Sequence, residues 1–197
     1  MSEGKIQSSR DARLTETLVR ENLVYEGKSV NLRVDEIRLP NGRKAFREFL
    51  DHPGAVGIVP FLADGSILLV RQYRHPVGRV TLELPAGKLD KGEAPLVCAR
   101  RELREETGYS ARRFTPLLKY WPTPAFSNEL LRLYVAEGLS PGRSRPDADE
   151  FLEVVRMPFK KALDLVRSGE IRDSKTALGL AACALWRSRG NYTKLSP

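Results

Sequence analysis

Cysteine and histidine are scarce in this chain, at two residues each, and long apolar runs are missing. Each shortage closes a class of function. Cys98 and Cys183 fall in separate helical-looking segments, so there is neither a disulfide framework nor a thiolate metal spacing. His52 and His75 each precede a proline, the setting of ordinary loop histidines. No stretch approaches the ~20 apolar residues of a membrane span. The opening Met-Ser-Glu-Gly-Lys-Ile-Gln-Ser-Ser-Arg lacks the apolar core of a secretion signal, so a reducing cytoplasm is the expected location. Lysine and arginine outnumber aspartate and glutamate by 33 to 25, a formal charge of +8. The cations are spread along the chain, with no basic helix and no aromatic-interleaved patch, which argues against nucleic acid. Such a surplus suits a small polyanionic substrate equally well.

What is present is enough for one core and a small appended element: 197 residues, 41% of them hydrophobic. Residues 1–12 read as a polar arm. Val30–Val34 alternates as a strand and slips by one near Asp35-Glu36, as at a bulge. Leu39-Pro40-Asn41-Gly42 is a hairpin turn, and Ala45–Leu50 is its return strand. Asp51-His52-Pro53 then breaks the chain, giving an expected division into 1–52 and 53–197. Beyond it, strands are expected at Ala55–Leu62, Ile67–Gln72, Val80–Leu84 and Leu130–Ala136, with an Asp64-Gly65 turn between the first two. Phe159, Ala162, Leu163 and Val166 recur at helical spacing and stop at Gly169. A last helix opens at an Asp173 or Ser174 cap. Strands interspersed with helices predict an α/β fold, a mixed sheet covered by helices on both faces.

The chemistry is concentrated in residues 87–109. Glu102, Glu105 and Glu106 stand at spacings 0, +3 and +4 in a segment that Pro95 opens and Gly108 closes as a helix. At about 100° per residue, Glu102 and Glu106 project about 40° apart, one turn above the other. Leu96, Ala99 and Leu103 recur as a core-facing stripe. Clustered carboxylates repel by a few tenths of a kcal/mol per exposed pair, and hard divalent ions such as Mg²⁺ prefer oxygen ligands of this kind. The plainer alternative is a solvated helix face laced with pairs such as Arg101–Glu105.

The full spacing decides between them. Gly87, five residues, Glu93, seven residues, then Arg101-Glu102-Leu103-Arg104-Glu105-Glu106-Thr107-Gly108-Tyr109 resembles the Nudix box at every defining position. The resemblance implies an α/β/α sandwich that hydrolyses nucleoside diphosphates linked to another moiety, with Mg²⁺ or Mn²⁺ as cofactor. It implies that Glu102, Glu106, Glu105 and the Ala86 carbonyl bind metal, and that Glu93 and Arg101 pair to hold the loop to the helix. Tyr120-Trp121-Pro122-Thr123-Pro124-Ala125-Phe126-Ser127-Asn128-Glu129 resembles the downstream segment of the ADP-ribose pyrophosphatase subfamily, with Pro124 following Gly108 by 16 residues and Ala125 departing from that subfamily's glycine.

From this resemblance the implied substrate-binding residues are Arg47, Glu48, Arg74, Glu83, Pro124, Phe126 and Glu129. The N-terminal β unit is implied to be exchanged in a homodimer, where Arg47-Glu48 reaches the neighbour's nucleotide. The acidic loop Asp147-Ala148-Asp149-Glu150 corresponds to one that closes over the pyrophosphate. Relatives typically carry an acid at the position of Ala148; here Glu150 is the expected catalytic carboxylate, as base or as an extra metal-facing group, with Glu105 also at the metal and Asp149 and Glu129 behind. The expected reaction is hydrolysis of ADP-ribose, or a related ADP-sugar, to AMP and ribose 5-phosphate. The alternatives are a hydrolase of other nucleoside diphosphate sugars such as GDP-mannose, or a non-catalytic module that senses ADP-ribose or binds a partner.

Overall fold

The computed structural model describes residues 11–145 and 151–188. The chain divides into two compact units. One contains the chain up to His52 together with Thr123–Glu129; the other contains Pro53–Pro122 and the chain from Leu130 onward.

The first unit is an antiparallel sheet of β1 (Thr17–Arg20), β2 (Leu23–Glu26), β3 (Asn31–Arg38) and β4 (Lys44–Asp51). β1 and β2 pair in turn with β3, and β4 pairs with β3 in unbroken register from Asn31↔Asp51 to Arg38↔Lys44. The expected hairpin is present, with the Gly42 N–H donating to the Leu39 carbonyl at 2.8 Å. The slip expected near Asp35 is not a bulge in β3 against β4. Asp35 is buried, and its carboxylate accepts from the Asn22 N–H at 3.0 Å and Arg33 Nε at 3.3 Å. A satisfied polar residue on the inner face breaks the alternation while the ladder stays in register. The register shifts lie against β1 and β2 instead. Segment 123–129 joins this unit through the Leu50 N–H, which donates to the Phe126 carbonyl at 2.9 Å, and through Asn128, which bonds the His52 N–H at 2.7 Å and the Asp51 carboxylate at 2.6 Å.

The second unit carries β5 (Ala55–Pro60), β6 (Ser66–Arg74), β7 (Arg79–Glu83), β8 (Ala86–Lys88), α1 (Pro95–Thr107), β9 (Tyr109–Tyr120), β10 (Leu131–Pro141), β11 (Leu152–Pro158), α2 (Phe159–Arg167) and α3 (Ser174–Ser188). A mixed sheet runs β8-β5-β10-β9, with β5 and β10 parallel, and an antiparallel sheet runs β11-β6-β7. Successive side chains of a strand point to opposite faces, and β5 uses both. Val56 and Ile58 pack with Cys98, Ala99 and Leu103 of α1, while Ala55 and Val59 pack with Leu133, Ala162 of α2 and Leu180 of α3. The result is the expected α/β/α sandwich. Each large apolar side chain buried here, Ile58, Leu84 or Leu133 for example, contributes roughly 1.5–3 kcal/mol.

Gly179 sets how closely α3 approaches the sheet. A β-carbon there would lie 2.7 Å from Leu84 Cδ1 and 3.3 Å from Leu133 Cδ1. On the same seam the Leu84 N–H donates to Thr176 Oγ1 at 2.8 Å. Helix and strand thus touch through both packing and a hydrogen bond, one residue beyond Glu83.

Candidate active site

α1 starts at Pro95 and stops at Gly108, whose left-handed backbone (φ 77°) lets its N–H cap the Arg104 carbonyl at 2.9 Å. The buried stripe is Cys98, Ala99, Glu102, Leu103, Glu106 and Thr107. Leu96, expected in the core, is 40% exposed. At about 100° per residue it points within about 20° of the buried Leu103, but it stands in the first turn of the helix, about two turns before Leu103. The two carboxylates of the stripe face inward, Glu102 at 8% exposure and Glu106 at 2%. Burial of charge on that scale requires partners.

For Glu102, Arg101 is one of them. Its guanidinium bonds Glu93 through two nitrogens at 3.0 and 2.9 Å, Glu102 at 2.6 Å, Glu105 at 3.0 Å and the Lys88 carbonyl at 3.1 Å. Arg101 outweighs burial and holds the Glu93 carboxyl at about 2, while Glu93 in turn raises the Arg101 pKa. Glu93 and Arg101 therefore tie the loop to the helix, as the resemblance to the Nudix box implies. Glu102 lies flat against Gly87, where a β-carbon would stand 1.9 Å from Glu102 Oε1. Any side chain at 87 would displace that carboxylate, which accounts for a glycine at this end of the motif. Glu106 Oε2 accepts the Ala86 N–H at 3.1 Å, placing the fourth carboxylate beside the backbone of β8.

The donor set fits a hard divalent cation. Glu93, Glu102 and Glu105 share one guanidinium, Glu106 lies beside them on the same helix, and all the donors are oxygen. Among the described residues no three His, Cys, Asp or Glu side chains already converge as a formed cage. Arg101 Nη1 bonds both Glu102 and Glu105 and so holds the two carboxylates beside each other.

Arg74 and Glu83, the next two predicted residues, meet directly. Arg74 Nε and Nη2 donate to the two Glu83 oxygens at 2.8 and 2.7 Å, and Thr81 Oγ1 donates at 2.6 Å. Lys175 Nζ also bonds Glu83, and it bonds Asp173 Oδ1 at 3.0 Å. Burial would raise the Glu83 pKa, but Arg74, Lys175 and Thr81 overcome it and hold the carboxyl at about 2. The Arg74 guanidinium is raised first by Glu83, with Asp173 and Glu106 adding to the effect, so the pair lies within the field of the box. Asp173 caps α3, accepting from the Thr176 N–H at 3.0 Å. Sequence reasoning identified the cap but missed Lys175, whose single available signal was its position two residues past that capping aspartate.

In the N-terminal unit, Arg47 and Glu48 are exposed on β4, and Arg47 Nε donates to Glu16 Oε2 at 3.0 Å. Pro124, Phe126 and Glu129 belong to the segment that joins β4, so these five predicted residues share one unit. Phe126 is 55% exposed. Glu150 lies outside the described residues, as do Asp147, Ala148 and Asp149.

Residues 51–177 match the NUDIX domain, and the chain belongs to this family of hydrolases, for which dependence on divalent metal is typical. Within it, the chain is 40% identical over 169 residues to the ADP-ribose pyrophosphatase of Bacillus subtilis (strain 168), covering 85% of this chain and 91% of the relative. It is 41% identical over 171 residues to the ADP-ribose pyrophosphatase of Mycobacterium tuberculosis (strain ATCC 25618 / H37Rv), covering 85% and 82%. A crystal structure of an ADP compounds hydrolase superposes with a TM-score of 0.78 at 25% identity, covering 90% of this chain and 96% of that one.

Proposed function

We propose that this Nudix hydrolase cleaves the pyrophosphate of ADP-ribose to AMP and ribose 5-phosphate. The observation that carries the reading is the packing of Glu102 and Glu106 on the inner face of α1, with Glu106 bonded to Ala86 three residues beyond the Arg74–Glu83 pair. Glu102, Glu105, Glu106 and the Ala86 carbonyl would hold Mg²⁺, with Mn²⁺ an acceptable substitute. When bound, such an ion neutralises phosphoryl oxygens and lowers the pKa of water. Arg74, locked in orientation by Glu83, presents its remaining N–H groups to the diphosphate. Water adds to one phosphorus, the bridging P–O bond breaks, and Glu150 or the half-exposed Glu105 accepts the proton.

Nucleotide recognition is assigned to Arg47, Glu48, Pro124, Phe126 and Glu129 of the N-terminal unit. That unit also supports a homodimer. Leu18, Val19, Leu23, Val24, Tyr25 and Phe46 of its sheet are all 42–60% exposed, an apolar surface a second copy could cover. Light scattering is expected to return twice the chain mass of 22.2 kDa; a monomer at micromolar concentration would remove this part. A cytoplasmic location agrees with two buried free thiols, Cys98 and Cys183. Among the described residues no helix is long and apolar enough to cross a membrane.

The test is a substrate panel with product identification, with and without Mg²⁺. Metal-dependent release of AMP, with ADP-ribose turned over ahead of GDP-mannose and dinucleoside polyphosphates, is the expected result. Faster turnover of GDP-mannose would overturn the substrate. Binding of ADP-ribose without metal-dependent turnover would overturn the activity and leave a sensing module.

A further inference from the structure

Beside the Arg74–Glu83 pair lies a cavity of about 640 Å³, lined by Arg74, Arg79, Thr81, Glu83, Arg172 and Lys175 among others. Its charges do not balance. Four cations, Arg74, Arg79, Arg172 and Lys175, face two anions, Glu83 and Asp173, leaving a surplus of two positive charges. Both anions are already consumed: Glu83 holds Arg74 and Lys175, and Asp173 holds Lys175 and caps α3. The surplus therefore rests on Arg79 and Arg172. Among the described residues neither guanidinium meets a carboxylate; Arg172 gives its Nε to the Gly169 carbonyl at 2.9 Å.

The register makes the imbalance sharper. Arg79 is the cross-strand partner of Arg74 in the β6–β7 ladder. Such partners stand about 4.5–5.5 Å apart at Cα, and like charges directly opposite destabilise a sheet. Arg79, Thr81 and Glu83 alternate onto one face of β7, the face that lines the cavity. Arg172 approaches from the connection ahead of α3, and both arginines also line a smaller neighbouring cavity of about 180 Å³. They are held on two different elements around one space, and that space has room for a phosphorylated sugar.

We infer that Arg79 and Arg172 form an anion subsite for a phosphomonoester dianion on a sugar. Two unpaired guanidinium groups match two phosphate charges, and each can offer parallel N–H donors. The subsite adjoins the box: Glu83 and Ala86 are three residues apart, a span of at most about 11 Å, and Ala86 bonds Glu106. Assigning the dianion to the hydrolysed substrate rests on the reading above. It is either the released ribose 5-phosphate or an extra phosphate on the sugar of an intact nucleotide sugar.

Calorimetric titration of ribose 5-phosphate, with ribose as neutral control, tests the site without any turnover. The unaltered chain should bind the phosphate and not ribose. Arg79→Ala/Arg172→Ala should weaken that binding by about 10-fold or more, and Arg79→Lys/Arg172→Lys should recover part of it. Equal binding by the parent and the alanine pair, with an unchanged circular dichroism spectrum, would overturn the proposal, as would no binding by the parent. A second arm separates the sources. If the alanine pair selectively lowers the kcat/KM ratio of ADP-ribose phosphorylated on its distal ribose over plain ADP-ribose, the substrate is the source. If it relieves inhibition by ribose 5-phosphate instead, the product is. A chain that binds ribose 5-phosphate through both arginines yet never cleaves ADP-ribose would retain this subsite and lose the hydrolase reading.

Discussion

Glu106→Gln is expected to lower metal-dependent turnover of ADP-ribose by about 10²–10⁴-fold, the effect of removing several kcal/mol of transition-state stabilisation. The substitution is clean because of what Glu106 touches. Its Oε2 accepts the Ala86 N–H at 3.1 Å, and a glutamine carbonyl can accept the same bond at the same reach. Position 106 is 2% exposed, and the amide has the size and shape of the carboxylate it replaces. Folding should survive, and thermal unfolding should shift little. Turnover within a factor of a few of the parent, at saturating Mg²⁺, would show that this carboxylate does not serve the ion. The role of α1 would then have to be rebuilt around Glu102 and Glu105.

Glu83→Ala should produce the largest loss of stability, about 3 kcal/mol, together with loss of activity. Removing one partner of a buried ion pair typically costs 3–5 kcal/mol because the other charge stays behind uncompensated; the lower end applies because Arg74 is 43% exposed. For a chain of this size that corresponds to a fall of roughly 6–12 °C in Tm. The acid profile should change in step. Glu83 has an ordinary value of 4.5 and is held at about 2 in the fold. Its contribution is therefore complete above about pH 4.5 and fades as pH drops toward 2. The parent should lose stability across that window more steeply than Glu83→Ala, in chemical unfolding at a series of pH values. Parallel pH profiles for the two proteins would mean that Glu83 is not depressed by Arg74 and Lys175.

Legibility in the sequence followed burial and punctuation. α1 was readable because Pro95 and Gly108 mark its ends and because its acids fall into a spacing too long to be accidental. β5, β6 and β7 were readable from their apolar runs. β1 and β2 were not, since all eight of their residues are exposed and no core imprints an alternation on them. β9 was hidden by Arg112, Arg113 and Pro116 within a run of mixed burial. In the site, Glu93–Arg101 followed from position in the motif. Lys175, Arg79 and Arg172 did not, because their significance comes from a cavity that joins the β6–β7 ladder to the start of α3, far apart in sequence.

Gly179 shows how little material fixes the spacing of this region. One hydrogen atom, in place of a methyl, acts as the shim between α3 and Leu84, the residue that follows Glu83 at the end of β7 and precedes Ala86 at the start of β8. The distance between Glu83 and Ala86 is thus backed from behind, by a buried position remote from solvent.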